Sequence, residues 1–234
     1  KQKTAYEIYQ CDWSSDVCSS DLRRAIAFFA GAAGALSLAP ISFFPALFIT
    51  MSISVWLIDG SVQAGKGSRF HGISFTQSAR AAAIDGWFVG FGYFLAGLWW
   101  LGSAFLVEAD KFAWAIPFAV AGLPAVLACF TAAGFALARL MWSTGAGRIF
   151  ALAAGLGSVE WARGYVATGF PWNSFGMALG SHAILAQPAA LIGLYGLTFL
   201  SVVIFAAPAC LADMRRDGRR AFGMPIVDRK STRL

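Results

Sequence analysis

The chain has 234 residues, of which 58% are hydrophobic and only 13% are charged. Soluble proteins average about 45–50% apolar and about 25% charged residues, so the excess apolar surface is expected to face lipid. The net charge is +6, but the nine Trp and 21 Phe lie mostly in apolar runs and not among basic residues, unlike those of a nucleic-acid-binding protein. The composition therefore indicates a membrane protein with no room for a large aqueous domain.

The two ends of the chain differ in composition from the part between them. Residues 1–22 are polar and lack the apolar core of a signal peptide. Residues 15–22 and 228–234 can be encoded by one stretch of DNA read on opposite strands, and that DNA resembles a sequencing-library adapter. We therefore expect residues 1–22 and 228–234 to be non-native scars, and residues 23–227 to be a membrane domain cut at both ends.

Six apolar segments follow one another within residues 23–227. Pro40 and Pro45 separate the first two, each of which is too short to cross a bilayer alone. The third, fourth and sixth segments are long enough to cross alone. The sequence predicts an all-α fold, a polytopic helical membrane bundle in which the first two segments form a short hairpin. The approximate segment boundaries are 25–38, 46–58, 81–107, 112–140, 149–161 and 184–212.

The basic residues predict the orientation of this bundle. Cytoplasmic loops of membrane proteins carry an excess of Lys and Arg. If Arg23 and Arg24 are inside and the first two segments form a hairpin, all basic residues of the membrane domain except Lys111 and Arg163 fall on the inner side. We therefore expect both cut ends to be cytoplasmic.

The third segment combines regularly spaced small residues with one acidic residue. Ala82, Gly86 and Gly90 recur every four residues, a spacing that lets helices pack closely in lipid. Asp85 lies about one turn inside the segment, where an ionisable residue suggests a functional site. Structural pairing with Arg80 or Arg139 is the alternative that we favour over a proton or ion site.

Two other patterns point to chemistry that the chain does not support. Residues 60–67 nearly match a phosphate-binding loop, but Gly67 stands where Ser or Thr should hold magnesium, and a membrane segment precedes the glycines instead of a strand. His71 and His182 have no acidic or Cys partner at ligand spacing. The sequence thus predicts no metal site and no cofactor.

The most informative stretch is Glu160-Trp-Ala-Arg163, followed by Thr168-Gly-Phe-Pro-Trp-Asn173. Glu160 and Arg163 share one face of a helix and can neutralise each other. The glycine and proline then end regular structure, which leaves Phe170 and Trp172 on a rigid loop at the level of the lipid headgroups. Such a loop could receive an acyl chain or a glycerol backbone. The other interpretation, an aromatic anchor at the interface, is the one that physical reasoning alone favours.

This stretch resembles the signature of the membrane domain of the apolipoprotein N-acyltransferase family, and residues 90–102 and 193–200 also resemble spans of that family. The resemblance implies an enzyme of the bacterial inner (cytoplasmic) membrane. Such an enzyme transfers an acyl chain from a phospholipid to the N-terminal diacylglyceryl-cysteine of a lipoprotein. Its partners would be the phospholipid donor, the lipoprotein acceptor and membrane lipid, with no nucleic acid.

The resemblance also implies a Glu, Lys and Cys triad in a nitrilase-like domain that would follow a further span after Arg220. Cys129 and Cys210 do not match the family's nucleophile, so no catalytic residue is assigned and the fragment alone is expected to be inactive. The resemblance implies that two positions of the loop lie near the entry for lipid substrates, and that four further residues belong to the same sequence pattern. This predicted substrate-binding set is Gly169 and Trp172, supported by Glu160, Arg163, Phe170 and Pro171.

Two functions from other classes remain as alternatives. A small inner-membrane transporter would carry charged or broken-helix positions near the bilayer midplane and paired inverted halves, and neither feature is visible. A non-catalytic membrane scaffold would use the aromatic loop only as an anchor.

Overall fold

The computed structural model describes residues 5–64, 71–143, 145–166 and 169–222, and all regular elements in these ranges are helical. The predicted all-α class is therefore confirmed for the described residues. The described part of the chain begins with three long helices, α1 (Ala5–Gly34), α2 (Ala46–Ala64) and α3 (His71–Leu98). Two short helices come next, α4 (Leu101–Phe105) and α5 (Ala109–Phe112). The long helices α6 (Leu123–Leu140) and α7 (Gly147–Arg163) follow them. Two more short helices, α8 (Met177–Gly180) and α9 (Ala183–Ala186), precede the last helix, α10 (Ala189–Phe222).

Within the described residues, three helical stretches are long and apolar enough to cross a membrane alone. They are Thr76–Leu98 in α3, Ala109–Leu140 ending with α6, and Ala189–Leu211 in α10. These stretches correspond to the third, fourth and sixth predicted segments, so the prediction that these three can cross alone is confirmed. Ala46–Ser61 in α2 is apolar but shorter. The total of six membrane segments stays a prediction.

Two helices do not follow the predicted membrane segments to their ends, because the backbone turns inside a continuous apolar run. The third segment was expected to run to residue 107, but α3 ends at Leu98, and Trp99 and Trp100 form a turn before α4. The sixth segment was expected to begin at residue 184, but Pro188 separates α9 from α10, and a proline has no N–H to donate to a continuous helix. Gly193, with a φ of 66°, then interrupts the start of α10.

Helix α3 packs against α1, α2 and α6, and its small residues set how closely the helices approach. A Cβ atom on Gly86 would overlap the ring of Phe135 in α6, and one on Gly90 would overlap Thr131. On another face of α3, Gly92 lies directly against the backbone of α1. The predicted packing role of the small residues is therefore confirmed.

Asp85 forms an ion pair with Arg23 and not with either predicted partner. The Nε atom of Arg23 lies 3.1 and 3.0 Å from the two carboxylate oxygens, and its Nη2 atom also donates to the carbonyl of Leu57, at 2.6 Å. The predicted structural pairing of Asp85 is confirmed, whereas the expectation of Arg80 or Arg139 as its partner is wrong. Arg23 is 62 residues away in sequence, on α1, so helix spacing could not identify it.

A second ion pair lies at the same end of the bundle. Arg148, at the start of α7, donates to Asp59 near the end of α2 at 2.6 Å, and also to the carbonyl of Ala209 in α10 at 3.4 Å. The indole of Trp142, just after α6, donates to the same carboxylate at 2.9 Å. We call the end that holds these two ion pairs the basic end. The opposite end of the same helices, which holds the turn at residues 99–100, the 169–173 loop, α8 and α9, is the loop end.

The glycine-rich pattern at residues 60–67 falls partly outside the described residues. Residues 60–64 form the last turn of α2, and Gly60 lies against the guanidinium of Arg23. A helical first half agrees with the interpretation that this pattern is not a phosphate-binding loop.

Candidate functional site

Glu160 and Arg163 lie in the last turn of α7, where both are buried. Only 5% of Glu160 and 2% of Arg163 is exposed, and Arg163 Nη2 lies 3.6 Å from Glu160 Oε1. Their spacing of three residues places them on one helix face, as predicted. Because buried charges are costly unless they are paired and hydrogen-bonded, both side chains need further partners.

Arg163 finds these partners in the loop that follows α7. Its Nη1 atom donates to the carbonyl of Trp172 at 3.1 Å, and its Nη2 atom donates to the hydroxyl of Ser174 at 3.4 Å. Ser174 in turn donates to the carbonyl of Pro171 at 2.9 Å. The guanidinium also stacks over the ring of Phe94 from α3, 4.9 Å from its centroid. One buried cation therefore holds the 169–173 loop against the bundle.

Glu160 holds the chain just beyond the loop. Its Oε1 atom accepts the backbone N–H of Phe175 at 3.0 Å, and its Oε2 atom accepts the hydroxyl of Thr198 at 2.8 Å. Thr198 Oγ1 accepts the N–H of Gly176 at 3.2 Å, and Ser201 donates to the carbonyl of Phe175 at 2.9 Å. The backbone at residues 175–176 is thus fixed from α7 and from α10 together.

The backbone of the 169–173 loop requires a glycine at its first position. Gly169 has a φ of 82°, and a Cβ atom there would overlap the carbonyl of Gly164. The N–H of Phe170 then donates to the carbonyl of Arg163 at 3.0 Å, which folds the loop back over the end of α7. Asn173, at the other side of the loop, has a φ of 54°. The predicted end of regular structure after α7 is confirmed.

The two aromatic residues of the loop differ in their surroundings. Phe170 packs partly buried against the core, whereas Trp172 is 46% exposed. The ring of Trp172 stacks on that of Trp100 with 5.6 Å between centroids and 23° between planes. Trp100 belongs to the turn after α3, so this stack links the loop to the third predicted segment.

A groove of about 630 Å³ lies beside the loop at the loop end. Asn173 and Ser181 contribute polar groups to a wall that is otherwise mostly apolar. The Nδ2 atom of Asn173 is buried and has no hydrogen-bond partner within the described part of the chain. The other residues that line the groove include Leu38, Trp100, Met177, Leu194 and Leu197.

The structure brings the six predicted site residues together but does not place them in the groove wall. They form the support of the loop, and Trp172 reaches the groove only through its stacked neighbour Trp100. Sequence reasoning missed Asn173 and Ser181 as lining residues, although Asn173 directly follows Trp172 in the signature. The substrate-binding role of the six predicted site residues stays a prediction.

The histidine and cysteine side chains do not form a further site in the described ranges. In the ranges that the structure describes, no group of three His, Cys, Asp or Glu residues could hold a metal ion. His182 contacts the Ser181 hydroxyl at 3.0 Å and packs edge-on against Phe44. Cys129 is exposed on α6, and Cys210 in α10 lies 3.9 Å from the carbonyl of Gly145. Both thiols lie within candidate spans, as predicted.

The fold and the site define a helical membrane protein domain in which a buried ion pair fixes an aromatic loop beside an apolar groove. Residues 30–207 match the family described as "Apolipoprotein N-acyltransferase N-terminal domain". The chain belongs to this family, and the resemblance inferred from its signature is confirmed.

Similar proteins named apolipoprotein N-acyltransferase occur in several bacteria. The protein of Bradyrhizobium diazoefficiens is 55% identical over 205 residues, and that of Rhodopseudomonas palustris is 52% identical over 205 residues. Each alignment covers 88% of this chain and 36% of the relative. The protein of Allorhizobium ampelinum is 51% identical over 193 residues, covering 82% of this chain and 35% of the relative. The chain therefore spans about a third of the length of these relatives.

Proposed function

We propose that this chain is the membrane domain of an enzyme that transfers an acyl chain from a phospholipid to the N-terminal diacylglyceryl-cysteine of lipoproteins. The observation that carries the proposal is the buried Glu160–Arg163 pair, which fixes the 169–173 loop beside an apolar groove. The relatives' name supplies the reaction class. The reacting Glu, Lys and Cys would come from a nitrilase-like domain of the parent enzyme, so the chain alone is expected to transfer nothing.

The groove has the size and chemistry for part of a lipid. Its volume of about 630 Å³ falls within the roughly 300–1,000 Å³ typical of small-molecule pockets. Because bilayer tails are as apolar as the groove wall, an acyl chain that enters from the bilayer gains little hydrophobic free energy. Such a chain can therefore exchange freely. Asn173 lines the groove, and its buried Nδ2 atom has no partner among the described residues, so we propose it as the donor to an ester carbonyl.

The membrane domain would have two tasks in the parent enzyme. It would seat the catalytic domain above the loop end, and it would guide lipid substrates laterally toward the reactive thiol. Trp172 accepts a hydrogen bond from Arg163 at its backbone carbonyl, and its exposed ring, stacked on Trp100, would form the border between the groove and the catalytic domain. A rigid border matters because correct orientation of reactants supplies a large part of the rate in acyl transfer.

The same proposal includes a location and an orientation. We infer that the domain lies in the bacterial inner membrane with its basic end toward the cytoplasm. Arg23 and Arg148 lie at the basic end, opposite the 169–173 loop. An excess of basic residues at one end of a helical bundle is typical of its cytoplasmic side.

We also propose that residues 1–22 and 228–234 are not native. Residues 23–227 number 205, and the alignments with the Rhodopseudomonas and Bradyrhizobium proteins are also 205 residues long. Helix α1 continues upstream of residue 23, but we assign no function to that extension. Sequencing the source gene across both junctions tests this point. A genomic reading frame that encodes both ends would contradict it.

The function is tested with the full-length product of the native gene. The protein is placed in vesicles with a phospholipid that carries an isotope-labelled acyl chain, together with a diacylglyceryl-cysteine lipopeptide. We expect mass spectrometry to show the labelled acyl group on the amino group of the lipopeptide. The 234-residue chain in the same vesicles is the matched control, and it should yield no product. Absence of N-acylated product from a folded full-length protein would contradict the proposal.

A further inference from the structure

The segment between α3 and α6 presents an apolar surface at the loop end. Five large side chains in residues 106–118 are between 46% and 85% exposed. In the described part of the chain, α5 packs mainly on the adjoining 3₁₀ turn Ala113–Ala115, and not on the helices of the bundle. These exposed side chains, which we call the 106–118 surface, are Leu106, Val107, Phe112, Trp114 and Phe118.

The length of the adjacent span indicates where this surface lies relative to the bilayer. The candidate span Ala109–Leu140 has 32 residues. At about 1.5 Å per residue it would extend about 48 Å, whereas the hydrocarbon core is about 30 Å thick. About a dozen residues therefore exceed the core. Arg139 at the far end favours headgroups there, so the excess falls on the first residues of the span.

The backbone changes where this excess ends. Pro117 precedes a π-helical turn at Phe118–Gly122, and regular α-helix resumes only at Leu123. Proline and π-helical turns are the features at which helices bend. The stretch before Phe118 can therefore leave the direction of the span and lie along the membrane surface.

The polar groups of this stretch are largely satisfied locally. Lys111 Nζ lies 2.9 Å from Glu108 Oε2, and the indole of Trp114 donates to the carbonyl of Lys111 at 3.0 Å. The apolar side chains remain as the free surface, beside the Glu108–Lys111 pair and the exposed Asp110. Tryptophan among exposed apolar side chains is typical of the headgroup region of lipid bilayers.

We propose that the 106–118 surface inserts in the plane of the lipid headgroups at the loop end and sets the depth of the 169–173 loop. The segment begins six residues after Trp100, whose ring stacks on Trp172, so its position in the lipid is transmitted to the loop by a short connection. The partner is a phospholipid surface, continuous with the lipid around Thr76–Leu98 and Ala109–Leu140. This inference does not depend on the reaction that the parent enzyme catalyses.

The test uses the 234-residue chain with its four cysteines replaced by serine. A single cysteine is then introduced by Val107→Cys or, as the matched control, by Asp110→Cys, and is labelled with a small environment-sensitive fluorophore. Both proteins are reconstituted in phosphatidylcholine vesicles that carry bromine either near the headgroup or deep in the acyl chain. We expect loss of fluorescence at position 107 with the shallow bromines, and much less loss at position 110 or with deep bromines.

Three results would overturn the inference. Equal and weak quenching at both positions would place the segment in water, and strong quenching by deep bromines would place it inside the hydrocarbon core. Weak quenching at position 107 that becomes strong when the protein is diluted in lipid would assign the surface to a second copy of the chain. Each labelled protein must elute as a single species and unfold at the temperature of its cysteine-free parent. If Val107→Cys does not, Leu106→Cys takes its place.

Discussion

Replacing Thr198 by Val should destabilise the domain more than its small change in shape indicates. The substitution keeps the volume of the side chain but removes a hydroxyl that is completely buried. Glu160 Oε2 then loses its 2.8 Å donor, and the N–H of Gly176 loses its 3.2 Å acceptor. A hydrogen bond to a charged group contributes about 1.5–3 kcal/mol, and a buried amide left without a partner costs about 1–3 kcal/mol. We expect a combined loss of about 3–5 kcal/mol.

The assay is thermal unfolding in a mild non-ionic detergent, followed by circular dichroism. For a chain of this size 1 kcal/mol shifts Tm by about 2–4 °C, so Thr198→Val should lower Tm by about 6–20 °C. Ser201→Ala is the matched control on the same helix, because it removes only one neutral hydrogen bond, to Phe175, and should cost about 1 kcal/mol. Thr198→Ser, which retains the hydroxyl, should restore most of the lost stability.

The reasoning is refuted if Thr198→Val unfolds at the wild-type temperature, or if Ser201→Ala is the more destabilising change. The first result would mean that residues 175–176 are held by packing, and the second that the hydrogen bond from Ser201 to Phe175 holds them more than those of Glu160 and Thr198 do. A loss of helix signal at low temperature would indicate a folding failure, in which case the Thr198→Ser variant still distinguishes the two explanations.

Three further predictions concern the loop and the basic end. Trp172→Ala in the full-length parent should slow acyl transfer without removing the protein from the membrane. Trp99→Ala, which changes an exposed ring on the neighbouring turn, should leave the transfer rate unchanged. Unchanged transfer in Trp172→Ala would return the loop to the role of an interface anchor. Gly169→Ala should lower the free energy of unfolding by at least about 1–2 kcal/mol, because φ there is 82° and a side chain in that conformation is strained; an unshifted unfolding temperature would show that the loop relaxes. Asp85→Asn should lower the free energy of unfolding by about 2–4 kcal/mol, because it leaves the partly buried Arg23 without its charge partner. Asp110→Asn, at an exposed position, should change stability little. Equal effects of the two substitutions on Tm would contradict the structural role of the Arg23–Asp85 pair.

Composition and local spacing were sufficient to predict part of the structure. The helical class and the three stretches that can cross a membrane follow from long apolar runs, since length and hydropathy alone determine them. The pairing of Glu160 with Arg163 follows from a spacing of three residues, and the loop follows from Gly169 and Pro171. These features are local, so they can be predicted without knowledge of the packing.

The remaining features depend on packing between distant parts of the chain. Thr198 meets Glu160 across 38 residues, and Arg23 meets Asp85 across 62 residues. The groove is built from separate segments that include Leu38, Trp100 and Leu197, none of which carries a local signal for a binding site. The turn at residues 99–100 was missed for a related reason, because apolar residues on both sides of it conceal the end of α3.

The two ion pairs at the basic end have a consequence for how the bundle is held together. Arg23 and Arg148 each bind a carboxylate and a backbone carbonyl, which ties α1, α2, α3, α7 and α10 together at that end. Among the described residues, none of these charges lines the groove. The two ion pairs therefore join five helices at the basic end and leave the wall of the groove to other residues.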